Sequence, residues 1–391
     1  MSPVLRAAVP SLRGVVGSGF GGDTFSLDAF MASQSAGFWY DFTRSDTMFQ
    51  EDVGPTPADE PNEVIGLALS QRLWGGQTRT GYLAGQPELW TNPAPTFDLA
   101  GGGSSPSYNQ ATRTLSNSVS SSVSGYPRAR FGLGLTAGRV YRISGRIDGD
   151  RAGINVIRPA AGGSASNVPY NTSTGVFDGF VVAQETYVEF VTAITSTYSL
   201  VIAEISVREV SQVPATQSTT SFKPKFQTTG AAFDGTDDNL LTNYTAGSGA
   251  NFLIAKVVVP ASMAGTQIIA GTNSSEDGGR FRLGFTTAGL LRLSVAGIDL
   301  DGVSDLRGQT VVVGATSDVA TGAIRTFAGQ AQEASSAAAP VVTSTIPYRI
   351  GARNNDGAAA NFFGGSIQHA LAGREFIDLA RFNQIANALG A

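Results

Sequence analysis

Residues 199–210 alternate with a period of two: Val201, Ala203, Ile205 and Val207 fall on one side, Glu204, Ser206 and Arg208 on the other. An extended chain sends successive side chains to opposite faces, so this pattern specifies a strand with one face in a core and one in water. Residues 139–147 repeat it through Tyr141, Ile143, Gly145 and Ile147, and residues 187–194 read as a further strand. A chain whose strongest local signal has period two must bury its apolar faces by stacking sheets. Composition points the same way. Glycine fills 48 of 391 positions and charged residues only 15%, against about 25% in an ordinary globular protein. The 42% of apolar residues is enough for a sizeable core. Many turns, few ions and alternating runs are the profile of β-sandwiches.

The C-terminal third is more regular still. Residues 252–259, 267–271, 280–285, 290–298, 310–315 and 323–327 read as successive strands separated by Gly, Asn or Asp turns. Phe281, Leu283 and Phe285 oppose Arg280 and Arg282, and Leu291, Leu293 and Val295 oppose Arg292 and Ser294, as in antiparallel strands with one wet face. The chain closes with a helix over about 377–389, where Phe382, Ile385, Ala386 and Leu389 recur at three- and four-residue spacing. Asp378 lies in its first turn, where negative charge suits the helix dipole, and Gly390 stops it.

Several function classes are excluded by counting. A net charge of −5 and a pI near 5.0 do not supply the basic stripe that nucleic acid requires. The absence of cysteine removes disulfides, thiolate metal sites and a cysteine nucleophile. One histidine, His369, cannot build a site that needs two imidazoles. Arg6 and Arg13 interrupt the apolar runs a signal peptide would need, and no stretch reaches the ~18 apolar residues of a membrane span. A soluble protein without membrane insertion is therefore expected.

Composition divides the chain into four parts. Residues 1–37, rich in glycine with Pro3 and Pro10, read as an extended arm with one short helix at 26–33. Such an arm buries little surface alone and suits attachment to a neighbouring subunit. Residues 38–89 open with Phe38-Trp39-Tyr40-Asp41-Phe42 and continue through Val64–Leu69 as short strands. Residues 90–211 read as one compact jelly-roll β-sandwich, and residues 212–391 carry the later strands and the helix.

The run Trp39-Tyr40-Asp41-Phe42-Thr43-Arg44-Ser45-Asp46-Thr47-Met48-Phe49-Gln50-Glu51-Asp52 resembles a recurrent opening of tailed-bacteriophage tail and fibre proteins. In that family an aromatic-Asp motif leads to a Pro-rich stretch, then to pieces like Ala215-Thr216-Gln217-Ser218-Thr219, Lys223-Pro224 and Phe233-Asp234-Gly235-Thr236-Asp237-Asp238. Here the later pieces arrive more than a hundred residues late. The resemblance therefore implies a discontinuous concanavalin A-like (laminin-G-like) sandwich, residues 38–89 plus 212–391. Residues 90–211 would be inserted into it, resembling carbohydrate-binding modules in strand pattern. It also implies a terminal helix entered through Ser366–Leu371, with His369 near its start. By the same resemblance the chain is a virion fibre, spike or tail-tip protein. Its arm would contact other virion proteins, it would form a homo-oligomer with a trimer favoured, and it would present its sandwiches to host surface polysaccharide. A capsid decoration protein and a capsule depolymerase are the alternatives.

No catalytic constellation emerges. A retaining glycosidase needs two carboxylates about 5–5.5 Å apart. The acidic clusters Glu276-Asp277 and Asp299-Leu300-Asp301 lie in turn-like sequence, and His369 has no motif around it. Catalytic residues are thus expected to be none. Asp299, Asp301 and Asp305 are spaced as loop ligands of Ca²⁺, the only cofactor suggested, although hard-cation sites take six or more oxygens. Asp234, Asp237 and Asp238 also cluster, in sequence that reads as turn chemistry. For glycan, the implied ligand, the candidates are two loops: Asn273, Glu276, Asp277 and Arg280 in one, Arg353, Asn354, Asn355 and Asp356 in the other. Trp39, Trp74 and Trp90 are expected to pack in cores or at a hinge.

Overall fold

The computed structural model describes residues 25–52, 56–98, 104–119, 127–159, 167–192, 197–273, 280–337, 341–342 and 344–391. It is all-β apart from three short helices and single turns of 3₁₀-helix, with four sheets stacked as two sandwiches. The first 24 residues lie outside the described residues.

The larger sandwich has an eight-stranded and an eleven-stranded sheet. Both draw on segments that are far apart in sequence. Gly37–Asp41 pairs with Ser366–Gly373, and Leu67–Ala68 pairs with Ala215–Thr216. Between the sheets lies one core that includes Phe38, Tyr40, Leu253, Phe281, Leu283, Leu293 and Ile367. The smaller sandwich uses only strands from Thr96–Asp98 to Tyr198–Ser211, in a four- and a five-stranded sheet. Phe131, Ile143, Phe177, Phe190 and Ile202 fill it. The alternation read at 199–210 is broken there: a bulge between Ala203 and Ser206 puts Leu200 and Ile202 on the inner face with Ile205 and Val207, and leaves Val201 and Ala203 on the outer one.

Helices α1 (Leu27–Ser33) and α3 (Leu379–Ala388) cover the outer face of the eight-stranded sheet. Leu27, Phe30 and Met31 of α1 meet Trp39 and Phe252 there, beside Phe382, Ile385 and Ala386 of α3. Each large apolar side chain buried this way contributes roughly 1.5–3 kcal/mol. The last turn of the expected arm is therefore an integral part of the sandwich. Asp378 caps α3 by accepting from Arg381 N at 2.7 Å. Ser366–Gly373 is a strand inside the eight-stranded sheet, not the approach to the helix, and His369 sits within it with Nδ1 3.4 Å from Asp41 Oδ1. Burial explains the misreading. Ile367, Ala370 and Ala372 enter the inner core while Leu371 meets the helices, so both faces are apolar and the alternation disappears.

The sandwiches are joined by a third layer of contacts. The chain leaves the larger one after Ser70 and returns at Ser211, whose Oγ accepts from Ser70 N at 3.2 Å. Helix α2 (Arg79–Gly85) lies in the crossover. Trp74 stacks on Tyr82 and donates from Nε1 to Val210 O at 3.1 Å, while Arg79 lies 5.0 and 4.7 Å over the rings of Phe49 and Phe180. Trp39, Trp74 and Trp90 are all buried.

One ionic network centres on a buried carboxylate. Glu189, with no exposed surface, accepts from Arg130 Nε at 2.9 Å and from Arg158 Nε and Nη2 at 3.0 and 2.8 Å, all three residues facing across adjacent strands. Removing the carboxylate takes the charge partner from Arg158, which is only 7% exposed, while Arg130 is a quarter exposed and keeps Asp98 at 2.8 Å. Glu189→Ala should cost about 3–5 kcal/mol in chemical denaturation of the smaller sandwich. A loss below about 1 kcal/mol, the worth of a surface pair, would contradict this reading.

Candidate functional site

The eleven-stranded sheet buries Phe281, Leu283, Leu293 and Val295 on its inner face, so the residues between them face outward. Register then sets who is adjacent to whom. Gln267–Asn273 runs parallel to Arg353–Asn355, matching Gly271 to Arg353 and Asn273 to Asn355. On its other side Gly271 matches Arg282, Arg282 matches Ser294, and Ser294 matches Asp299. The outward row therefore reads Arg353, Gly271, Arg282, Ser294, Asp299. At about 4.8 Å between strands, Arg353 and Arg282 stand roughly 10 Å apart, and Gly271, the residue between them in the row, contributes no side chain. Glycine is required at the midpoint: a Cβ on Gly271 would lie 2.2 Å from Arg282 Cβ.

The electrostatics of this row are unbalanced. Neither the Arg282 nor the Arg353 side chain makes an ion pair or hydrogen bond among the described residues; Arg282 Nε and Nη1 and Arg353 Nε are buried without partners. Burial, reinforced by Arg280 and Arg353, pushes the Arg282 guanidinium down to about 10. Burial, with Arg280 adding repulsion, lowers Arg353 as well. Ser294 Oγ is buried with no partner. A trough flanked by two such guanidiniums can donate charge-assisted hydrogen bonds to a carboxylate or to sugar hydroxyls.

The strand ends next to the two loops singled out from sequence are paired in parallel, Asn273 opposite Asn355. Arg280 precedes the strand Phe281–Phe285, its carbonyl accepting from Ala296 N at 2.8 Å. Asn273 ends its strand opposite Asn355, while Glu276 and Asp277 lie outside the described residues. Asn354 turns inward: it is buried, donates from Nδ2 to Pro347 O at 2.8 Å, and accepts from Gly357 N at 3.0 Å. Asp356 occupies the exposed turn that follows, at a φ of 50°. Arg282, Gly271 and Ser294 were not singled out. The outward position of Arg282 is visible in the alternation, but its place beside Arg353 depends on register.

The carboxylates suggested for Ca²⁺ are held by arginines. Asp301 receives two bonds from Arg292, at 2.5 and 2.6 Å, and Asp299 lies 3.5 Å from the same guanidinium. Asp305 is bound by Arg307, which draws its carboxyl down to about 2. Asp234, Asp237 and Asp238 are close enough to share an ion, and their bonds are internal to the turn. Asp234 Oδ1 accepts from the amides of Thr236, Asp237 and Asp238, and Asp238 Oδ2 accepts from Asp234 N. Burial first, and repulsion from Asp234 second, push the Asp238 carboxyl up to about 7.

A raised carboxyl binds its proton more tightly in the folded chain than in the unfolded one. Its contribution is fully favourable below about pH 4 and is lost as pH rises toward about 7. Asp238→Asn keeps the acceptor for Asp234 N and cannot ionise. Its melting midpoint relative to the natural chain should therefore rise between pH 4 and pH 8. A difference that stays flat over that window would contradict the assigned environment of Asp238.

No family model and no curated protein matches this sequence. Among solved structures, the Ruminococcus gnavus IT-sialidase CBM40 is 18% identical, with a TM-score of 0.32, over 36% of this chain and 84% of that one. A Limulus polyphemus SAP-like pentraxin is 15% identical with a TM-score of 0.31, covering 40% and 80% of the two chains. Trypanosoma rangeli sialidase is 14% identical with a TM-score of 0.34, over 45% and 30%. These overlaps are local and do not extend to the arrangement of the whole chain.

Proposed function

We propose that this protein is a non-enzymatic glycan-recognition component of a tailed-phage virion, a fibre, spike or tail-tip protein that holds host surface polysaccharide on the outer face of its eleven-stranded sheet. The observation that carries the binding role is the trough at Gly271, where Arg282 and Arg353 stand unpaired among the described residues on either side of a position without a side chain. Leaving cations half-buried and unpartnered is costly unless a ligand completes them. Asn355, two positions along its strand from Arg353, and Arg280, two before Arg282, are the further residues proposed for this site. The virion assignment is supported by the resemblance of Trp39–Asp52 and Phe233–Asp238 to phage fibre sequences, and attachment would use the N-terminal arm.

A glycan array probed with the full chain tests the binding role. Arg282→Gln removes the charge and keeps most of the side-chain length; Arg353→Gln does the same on the other side of Gly271. Each should lower the array signal by roughly tenfold or more, the effect of losing one charged hydrogen bond of at least ~1.4 kcal/mol. Variants that fold and bind the same glycans as the natural chain at equal strength would overturn the proposed site.

A further inference from the structure

A second polar concavity lies where the two sandwiches meet. This cleft, of about 250 Å³, is lined from both sides of the insertion: Gly37 and Arg72 from the early chain, Arg139 and Gln212 from the inserted part and its return, Asn243 and Arg374 from the larger sandwich. Among the described residues, three arginines and no carboxylate line it. Arg139 is balanced by Glu209 at 2.8 Å, just outside the lining. The other two are not balanced among the described residues. Arg72 is only 8% exposed, and its partners are neutral: Gln34 O at 2.6 Å from Nη1 and Gln212 Oε1 at 3.2 Å from Nη2. Arg374 is exposed, its guanidinium 5.9 Å from the ring centroid of Tyr244.

A buried guanidinium with only neutral partners is a charge held ready at a fixed place, because its desolvation is already incurred on folding. Here it is held in a chain of net charge −5, so bulk attraction for anions does not account for it. The neutral groups around it are also oriented. Asn243 Nδ2 donates to Gly138 O and Gln212 O, at 2.6 and 3.2 Å, which leaves its Oδ1 as an acceptor. Gln212 Oε1 is used by Arg72, which leaves its amide N–H groups as donors. Guanidiniums match the planar fork of a carboxylate, and a paired amide donor and acceptor match vicinal hydroxyls. Ligand sites also favour the seam between domains.

We propose that this interdomain cleft binds a small polyhydroxy carboxylate, the chemistry of a uronic-acid sugar unit, with Arg72 and Arg374 on the carboxylate and Gln212 and Asn243 on the hydroxyls. The site shares no residue with the trough at Gly271 and stands whether or not that trough binds glycan.

Saturation-transfer NMR titrations of the full chain with methyl glucuronide, methyl glucoside and inorganic phosphate separate the cases. Glucuronide should bind, glucoside should bind at least about tenfold more weakly, and phosphate should not displace the glucuronide. Arg374→Gln, at an exposed position, should weaken glucuronide binding by roughly tenfold, and Arg282→Gln should leave it unchanged. Equal binding of the glucoside, displacement by phosphate at comparable concentration, or absence of glucuronide binding would overturn the inference. So would loss of binding in the Arg282 variant with retention in the Arg374 variant, a result that leaves the trough at Gly271 standing.

Discussion

The pairing of Gly37–Asp41 with Ser366–Gly373 joins the two ends of the described chain and closes the larger sandwich. The C-terminal strand of this pair has Asn251–Val258 along one edge, with Gly37–Asp41 and Gly230–Ala232 sharing the other. Its inner face completes the core through Ile367, Ala370 and Ala372, and Trp39 and Leu371 seat the helices on the opposite face. The contact is close enough to demand glycine, since a Cβ on Gly37 would lie 2.2 Å from Ala372 O. Because the first strand pairs with the last, the larger sandwich is complete only when both segments are present. The excursion through the smaller sandwich can then be long at little entropic cost, because loop closure grows only slowly with length.

That closure also fixes the sheet opposite. Strand Gln267–Asn273 is bounded by Phe281–Phe285 on one side and by Arg349–Ile350 and Arg353–Asn355 on the other, with a bulge between Ile268 and Ala270. Bulges re-aim side chains and increase local twist. Here the irregularity precedes Gly271, the one position in the outward row that lacks a side chain. The arginines on either side are positioned by ladders, not by loops, so their separation is set by the fold. The interdomain cleft has a different origin. It exists because the crossover near Ser70 and Ser211 brings a second body against the first, and Arg72 is buried by that contact.

The sequence was most legible where strands have one wet face. Leu290–Val295 and Ala323–Ala328 fall within a few residues of the runs read from alternation, and α3 differs from its periodic pattern by two residues at its start and one at its end. Legibility failed where both faces are buried, as in Ser366–Gly373, and where local composition opposes the outcome. Helix α2 contains two glycines in seven residues and survives through its Thr78 cap and the packing of Tyr82 and Leu83 between the sandwiches. For the candidate site, the residue types were visible but their adjacency was not. The parallel match of Asn273 to Asn355, over eighty residues apart, is a tertiary fact that no local period encodes. The inward turn of Asn354 is hidden for the same reason, since its partner Pro347 is brought near by the turn geometry.

On the proposed function, glycan is held on the outer face of the eleven-stranded sheet, at Gly271. The direct measurement is a crystal structure of the full chain with a glycan that binds it in solution. Sugar density is expected over Gly271, with hydroxyl or carboxylate oxygens within hydrogen-bond distance of Arg282 and Arg353. Density seated on the smaller sandwich, with the trough at Gly271 empty, would contradict it.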